Sequence, residues 1–270
     1  MLADPPLSDF FPSTSTSICS DPSVTPSDKA AESTKALWWL HGHPHSKRYS
    51  DPKLNSLAAL VRHDGLVYGN QPAFLHPATS APDTPYETTT WAQFDSITET
   101  IAALYADGLK EELQTANESR NQPTVALLGE GKTVEYFCTQ LALQKLGVRV
   151  LLLAESNAVE ALHHLLECCN ASVVIIDAKN ANADTKGIRK MPIIEALPLN
   201  PITSAAEVNA LKFQDFGDVW ERHSFIIHSS GSTGMPKPII HTNRSMMLIA
   251  RMYGIFQGFE IKNWFLLFPL

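Results

Sequence analysis

The sequence lacks any apolar run long enough to span a bilayer, which predicts a chain without a membrane. Its start, MLADPPLSDFF, places Asp4, Pro5 and Pro6 where a secretory signal needs positive charge followed by an apolar stretch. Cysteine is scarce: Cys19, Cys138, Cys168 and Cys169 form neither a disulfide framework nor a CxxC pair, so a reducing, cytoplasmic setting is expected. Basic charge is also short. Lys and Arg number 21 against 28 Asp and Glu, a net charge of −7, and nucleic acid is excluded as a partner because phosphate backbones need a basic face. What remains, with 44% hydrophobic and 18% charged residues in 270, is a globular chain long enough for a sizeable core.

Residues 1–36 are rich in Ser, Thr, Pro and Asp, as in PSTSTSICSDPSVTPSD, and bury too little apolar surface to offset their ordering entropy. A disordered leader is expected there, with order beginning near ALWWL, where Trp38 and Trp39 anchor the first segment. In YETTTWAQFDSITETIAALYADGLK the period changes from strand to helix. Thr90 is the expected N-cap, Phe94, Ile97, Ile101 and Leu104 the apolar stripe, and Gly108 the stop.

The middle of the chain alternates strand and helix. TVALL (Thr124–Leu128) is read as a strand, followed by a helix with Val134, Phe137, Cys138 and Leu141 on one face and Gly147 at its C-terminal cap. VRVLLL is the second strand. Ser156 or Asn157 is expected to cap the next helix, whose buried face is Val159, Leu162, Leu165, Leu166 and Cys169, and SVVIID is the third strand. Lys179–Gly187 reads as a surface loop, and residues 191–218 carry no clear pattern. From His223 come strand SFIIH, a polar loop, strand PIIH and a helix capped by Thr242 or Asn243, with a stripe of Met246, Ile249, Met252, Tyr253 and Phe256. This order predicts an α/β fold of parallel strands joined by crossover helices.

The loop SSGSTGMPK has the composition a polyphosphate requires. Ser229, Ser230, Ser232 and Thr233 offer hydroxyl donors, Gly231 and Gly234 let backbone N–H groups approach an anion, and Lys237 brings a mobile cation between two prolines. A Walker A loop it is not, since that motif carries Lys directly before Ser or Thr at the start of a helix. GEGKT (Gly129–Thr133) has the right ending, but Ala126 stands where the first Gly belongs, so a plain strand-to-helix turn is expected. His41, His43 and His45 sit in a Pro-containing loop without a rigid scaffold. His164 and Cys168 supply only two ligands on a helix whose phase turns Cys169 inward and His163, His164 and Glu167 outward. No metal site is expected from either group.

SSGSTGMPK resembles, at every key position, the Ser/Thr/Gly loop ending in Gly-x-Pro-Lys of the adenylate-forming enzymes: acyl-CoA synthetases, luciferases and the adenylation domains of nonribosomal peptide synthetases. TTTWAQFDSITETIAALYADGL and the stretch from TVALLGEGKT through VVIID are similar to the same family, so the resemblance covers roughly residues 60–270. His228 before the loop and Pro238 after the Lys, in place of the more usual Gly, resemble the fungal adenylation domains of NRPS-like proteins. Pro238 also removes one backbone donor.

The resemblance implies that residues 37–270 form the N-terminal part of an adenylation domain, truncated before the acyl pocket and the C-terminal lid domain. It implies ATP, Mg entering with ATP, and a carboxylic acid as the partners of the parent enzyme. Ser229, Ser230, Gly231, Ser232, Thr233, Gly234 and Lys237 would grip the β- and γ-phosphates. A phosphopantetheine carrier and a reductase or thioesterase domain would follow downstream. The chain alone is expected not to adenylate, its catalytic residues lying elsewhere; a non-catalytic remnant with weak nucleotide or partner binding is the other expectation.

Overall fold

A computed structural model describes residues 53–77, 85–195, 212–213, 217–229 and 234–256. The leader, the Trp38–Trp39 pair, the His41, His43 and His45 group and the final NWFLLFPL lie outside the described residues.

The apolar periodicities become two layers of helix on one sheet. Six strands lie in the order β6-β5-β3-β4-β7-β8: β3 Thr124–Leu128, β4 Arg149–Leu153, β5 Ala171–Ile176, β6 Arg189–Pro192, β7 His223–His228 and β8 Pro238–Thr242. The first five are mutually parallel, and β8 turns back antiparallel on β7, pairing His228 with Pro238. Pro238 is tolerated because it is the first residue of a strand, where a missing N–H interrupts no ladder. A separate antiparallel pair, β1 (Pro72–Pro77) and β2 (Tyr86–Thr90), leads into the helices.

Side chains in the central strands alternate strictly between the two faces, as a period of two requires. Val125, Leu127, Val150, Leu152, Val173 and Ile175 face α2 (Trp91–Gly108) and α4 (Val134–Lys145). Ala126, Leu128, Leu151, Leu153, Val174 and Ile176 face α5 (Val159–Cys168) through Leu162, Leu165, Leu166 and Cys169. Burial on both faces is why these strands read as unbroken apolar runs. Each fully buried Leu on α5 contributes about 1.5–3 kcal/mol. The chain steps from β3 to β4 through α4, then crosses back over β3 to reach β5 through α5. With right-handed crossovers, that reversal puts α4 and α5 on opposite faces.

The caps follow local chemistry. Thr90 and Gln93 close a capping box: Thr90 Oγ1 accepts the Gln93 N–H at 3.3 Å and Gln93 Oε1 accepts the Thr90 N–H at 2.9 Å. Gly147 sits at φ +76° directly after α4, as its capping role predicts. On α6 (Asn243–Phe256), Thr242 Oγ1 accepts the Ser245 N–H, leaving Asn243 to donate to Val219 O at 2.9 Å. The side chains of Met252, Tyr253 and Phe256 lie outside the described residues.

Several expectations are corrected. Leu104 is exposed, because the buried stripe of α2 continues through Tyr105 instead. Val159 is exposed at the first position of α5, beyond the reach of the sheet. Neither Ser156 nor Asn157 caps that helix; its N-cap is Ala158, without a side-chain bond. Four α-helices or strands had no sequence expectation: α1 (Leu57–Val67), β1, α3 (Lys110–Ser119) and the edge strand β6.

Candidate functional site

Parallel strands bring their carboxyl ends to one edge, and in open α/β sheets the crevice at the point where strand order reverses is where ligands bind. Four chain segments meet at that edge: the turn after β3, the turn after β4, Asp177 after β5, and the two ends of the Ser/Gly loop after β7, Ser229 and Gly234–Lys237.

Ser229 and Lys237 close the neck of the loop. The Ser229 N–H donates to Lys237 O at 3.1 Å, and the Lys237 N–H donates to Ser229 Oγ at 3.2 Å. These bonds continue the β7–β8 ladder one step past His228 and Pro238. Ser229 thus acts as a clasp through its oxygen, while its hydroxyl proton stays available as a donor. Gly234 adopts φ +147° with no atom within 4 Å of where a Cβ would stand, so this position is closed to other residues by backbone conformation rather than crowding. Pro236 is buried and Lys237 is exposed. Among the described residues the Lys237 ammonium makes no ion pair. Ser230, Gly231, Ser232 and Thr233 lie outside the described residues.

The base of the loop is tied to the turn after β4. Asn157 Nδ2 donates to His228 Nε2 at 3.2 Å, which leaves His228 Nδ1 to donate to Ser229 O at 3.4 Å. Both contacts require one tautomer, with the proton on Nδ1. Reading Asn157 as a helix cap missed this link, and only its residue type, a two-way hydrogen bonder before a helix, signalled a polar role.

The neighbouring strand ends are acidic and already satisfied. Asp177 Oδ2 accepts the Glu130 N–H at 2.9 Å, and Oδ1 accepts the Asn180 N–H at 2.9 Å and its side-chain amide at 2.8 Å. Gly129 is glycine because a Cβ there would stand 2.9 Å from Asp177 Oδ2. Glu155 pairs with Lys179 at 3.1 Å. Among the described residues the buried Tyr136 phenol has no hydrogen-bond partner, and its pKa is pushed up by burial and further by the charges of Asp177 and Glu155. GEGKT is therefore a strand-to-helix turn: Thr133 Oγ1 caps α4 by accepting the Tyr136 N–H. On α5, His164 and Cys168 Sγ approach to 3.5 Å on the exposed side while Cys169 is buried.

The arrangement thus sets an exposed cation, without an ion pair among the described residues, at the clasped neck of the loop, at the carboxyl edge of a parallel sheet beside Asp177 and Glu155. The model of the AMP-binding enzyme family matches residues 66–268. The chain belongs to the AMP-binding enzyme family.

The AMP-binding chain is similar to a carboxylic acid reductase of Neurospora crassa, with 29% identity over 133 residues, 48% of this chain and 12% of that protein. Its fold is similar to the fatty acyl-adenylate ligase from L. pneumophila, solved with acyl adenylate and pyrophosphate, at TM-score 0.55 and 18% identity, covering 79% of this chain and 34% of that one. It is also similar to a putative long-chain-fatty-acid CoA ligase from Rhodopseudomonas palustris, at TM-score 0.53 and 16% identity over 74% of this chain and 47% of that one. The AMP-binding chain thus spans under half of the length of each of these relatives. Among the described residues no helix is long and apolar enough to cross a membrane.

Proposed function

We propose that this chain supplies the triphosphate grip of an enzyme that activates a carboxylic acid with ATP. In that reaction a carboxylate oxygen bonds to the α-phosphorus, the bond from that phosphorus to the bridging oxygen of the β-phosphate breaks, and pyrophosphate leaves with the electron pair. Lys237 and the hydroxyls of Ser229, Ser230, Ser232 and Thr233 hold the β- and γ-phosphates, with Gly231 and Gly234 letting the backbone come close. Mg enters with ATP. The role of this loop is positioning and charge compensation on the leaving group, not proton transfer.

The observation that carries this reading is the clasp between Ser229 and Lys237, which fixes the strand-to-loop geometry and holds the Lys237 stem outward at the ligand edge. The resemblance of HSSGSTGMPKP to NRPS-like adenylation domains, with the similarity to a carboxylic acid reductase, supports a finer reading. In it the acyl group passes from the adenylate to a phosphopantetheine thiol on a carrier domain, with a reductase domain beyond.

Lys237→Ala tests the assignment. Removing one charge-assisted phosphate contact from an exposed site weakens Mg-ATP binding about tenfold, read as loss of ATP-dependent thermal stabilisation. The ligand-free melting temperature stays put, since Lys237 supports no core contact. In the whole protein the same substitution lowers carboxylate-dependent ATP–pyrophosphate exchange. Unaltered ATP binding in the variant would sink the reading, and no ATP-dependent stabilisation of the native chain would leave a remnant without a nucleotide site.

A further inference from the structure

The neck of the Ser/Gly loop stands at the end of a ribbon that the sheet holds on one side only. The described ladder between β4 and β7 has two registers, Val150 with Phe225 and Leu151 with Ile226. β7 continues for two residues beyond it with β8 as partner, pairing Ile227 with Ile239 and His228 with Pro238. Among the described residues, then, the last rungs before Ser229 have no backbone ladder to β4. A two-stranded ribbon is marginal without further support, so the direction of this one depends on what else ties it down.

A pair of side chains supplies the tie. Asn157 Nδ2 donates to His228 Nε2 at 3.2 Å, and His228 Nδ1 donates to Ser229 O at 3.4 Å. Both ends of this relay are rooted. The Asn157 N–H donates to Ala154 O at 3.1 Å, closing the turn between β4 and α5. At the other end, the Ser229 N–H and Oγ make the two bonds of the clasp with Lys237. Asn157 stands just before α5, where Asn is among the best capping residues. The N-cap is nevertheless Ala158, without a side-chain bond. The Asn157 amide reaches across to β7, and the first turn of α5 does without it.

We infer that Asn157 and His228 are positioning residues for the nucleotide, aiming the Ser229 carbonyl and the clasp that roots Lys237. This rests on the reading of the loop as a triphosphate grip. Asn157 acts by selecting the ring tautomer with its proton on Nδ1, and His228 acts by holding Ser229 O with that proton. Neither is assigned a phosphate contact. A neck already held in its bound geometry has less to order when the ligand arrives, so losing the relay weakens Mg-ATP while every gripping group remains. The 3.4 Å contact is long for such a bond, which sets the expected effect at several-fold, below that of Lys237→Ala.

Nitrogen NMR of the isotope-labelled chain and Mg-ATP binding test this together. The ring shifts of His228 report which nitrogen carries the proton: Nδ1 is expected in the native chain, and Nε2 after Asn157→Ala. Mg-ATP affinity, read as thermal stabilisation, is expected to fall about fivefold in Asn157→Ala while the ligand-free melting temperature holds. Two replacements of His228 divide the relay. His228→Asn places an amide where Nδ1 stands and can still donate to Ser229 O, whereas His228→Gln places one where Nε2 stands and cannot. The Asn variant is therefore expected to keep more of the ATP affinity than the Gln variant, an order that a merely structural role does not produce. A proton on Nε2 in the native chain overturns the inference, as do equal affinities in the two His228 variants. So does an affinity that Lys237→Ala lowers but Asn157→Ala and His228→Gln leave unmoved, and that result keeps the triphosphate grip. If the native chain binds no Mg-ATP, or Lys237→Ala has no effect, the grip itself fails and the positioning role falls with it.

Discussion

Gly147 and Gly187 form an internal experiment. Both hold nearly the same left-handed backbone, φ +76° and φ +79°, yet their surroundings differ completely. A Cβ on Gly147 would stand 3.1 Å from Phe213 O, 3.2 Å from Arg222 Nη1 and 3.3 Å from Phe213 Cβ, whereas one on Gly187 would meet nothing within 4 Å. Alanine at either site pays about 1–2 kcal/mol for the left-handed conformation, partly offset by the smaller entropy of its unfolded chain, about 0.4–1 kcal/mol. Gly187→Ala should therefore cost roughly 1 kcal/mol on that arithmetic. Gly147→Ala carries a further loss. Phe213 is tethered by its N–H to Leu146 O at 2.9 Å and cannot retreat without weakening that bond, worth about 1 kcal/mol net. The expected total for Gly147→Ala is about 2–3 kcal/mol, a sizeable share of a domain's 5–15 kcal/mol. Urea denaturation of the two variants side by side, compared at equal slopes, measures the difference. Equal losses would refute the crowding argument, and a neutral Gly147→Ala would refute the backbone argument as well.

Two other perturbations follow from the buried polar groups. Lys145→Met should destabilise the chain by about 3–5 kcal/mol, because Lys145, only 6% exposed, is the shared partner of Asp95 and Glu99; adding Glu99→Gln should recover part of the loss, and failure to recover any would show that the charge left behind is not the cause. His223 fixes the sign of an acid effect. Its folded pKa lies below the ordinary 6.5 through burial first and the Arg149 charge second, so the unfolded chain takes up the proton first as pH falls, and stability present above 6.5 is lost below it. His223→Gln should flatten the stability profile between pH 6.5 and about 5, above the ordinary carboxylate range, and an unchanged slope there would count against the burial of this ring.

The parallel core was legible in the sequence because strands buried on both faces must be apolar throughout. TVALL, VRVLLL and SVVIID read as strands, and the helices between them carried apolar stripes, with Gly147 the cap that was legible. The elements that escaped lack such a signal for physical reasons. β6 is an edge strand whose four residues, RKMP, are mostly exposed, so burial imposed no pattern on them. α3, KEELQTANES, buries only Leu113 and Ala116 and is too polar to declare a stripe. The loop was legible from composition, but its clasp was not, since one bond of the Ser229–Lys237 pair is backbone to backbone and any residue types could make it. The Asn157–His228 link needed two segments that are distant in sequence to meet at one edge. Such pairings are set by strand order, and strand order was not readable from any single motif.

The acid charge of the chain sharpens the case for a local phosphate grip. At −7 overall the protein repels a polyphosphate at long range, though screening confines that repulsion to about 8 Å at physiological salt. Within that distance the local groups decide. At the ends of β4 and β5 the carboxylates are consumed as acceptors: Asp177 takes two backbone N–H groups and an amide, and Glu155 takes Lys179 and Asn180. Those bonds shape the turns. At the end of β7 the arrangement is reversed. The Ser229 clasp closes the neck through backbone groups and the Ser229 hydroxyl oxygen, and among the described residues the Lys237 ammonium makes no ion pair. A cation held at a fixed root, and otherwise unpaired, is the condition under which a single exposed Lys can contribute to phosphate binding in a net acidic protein.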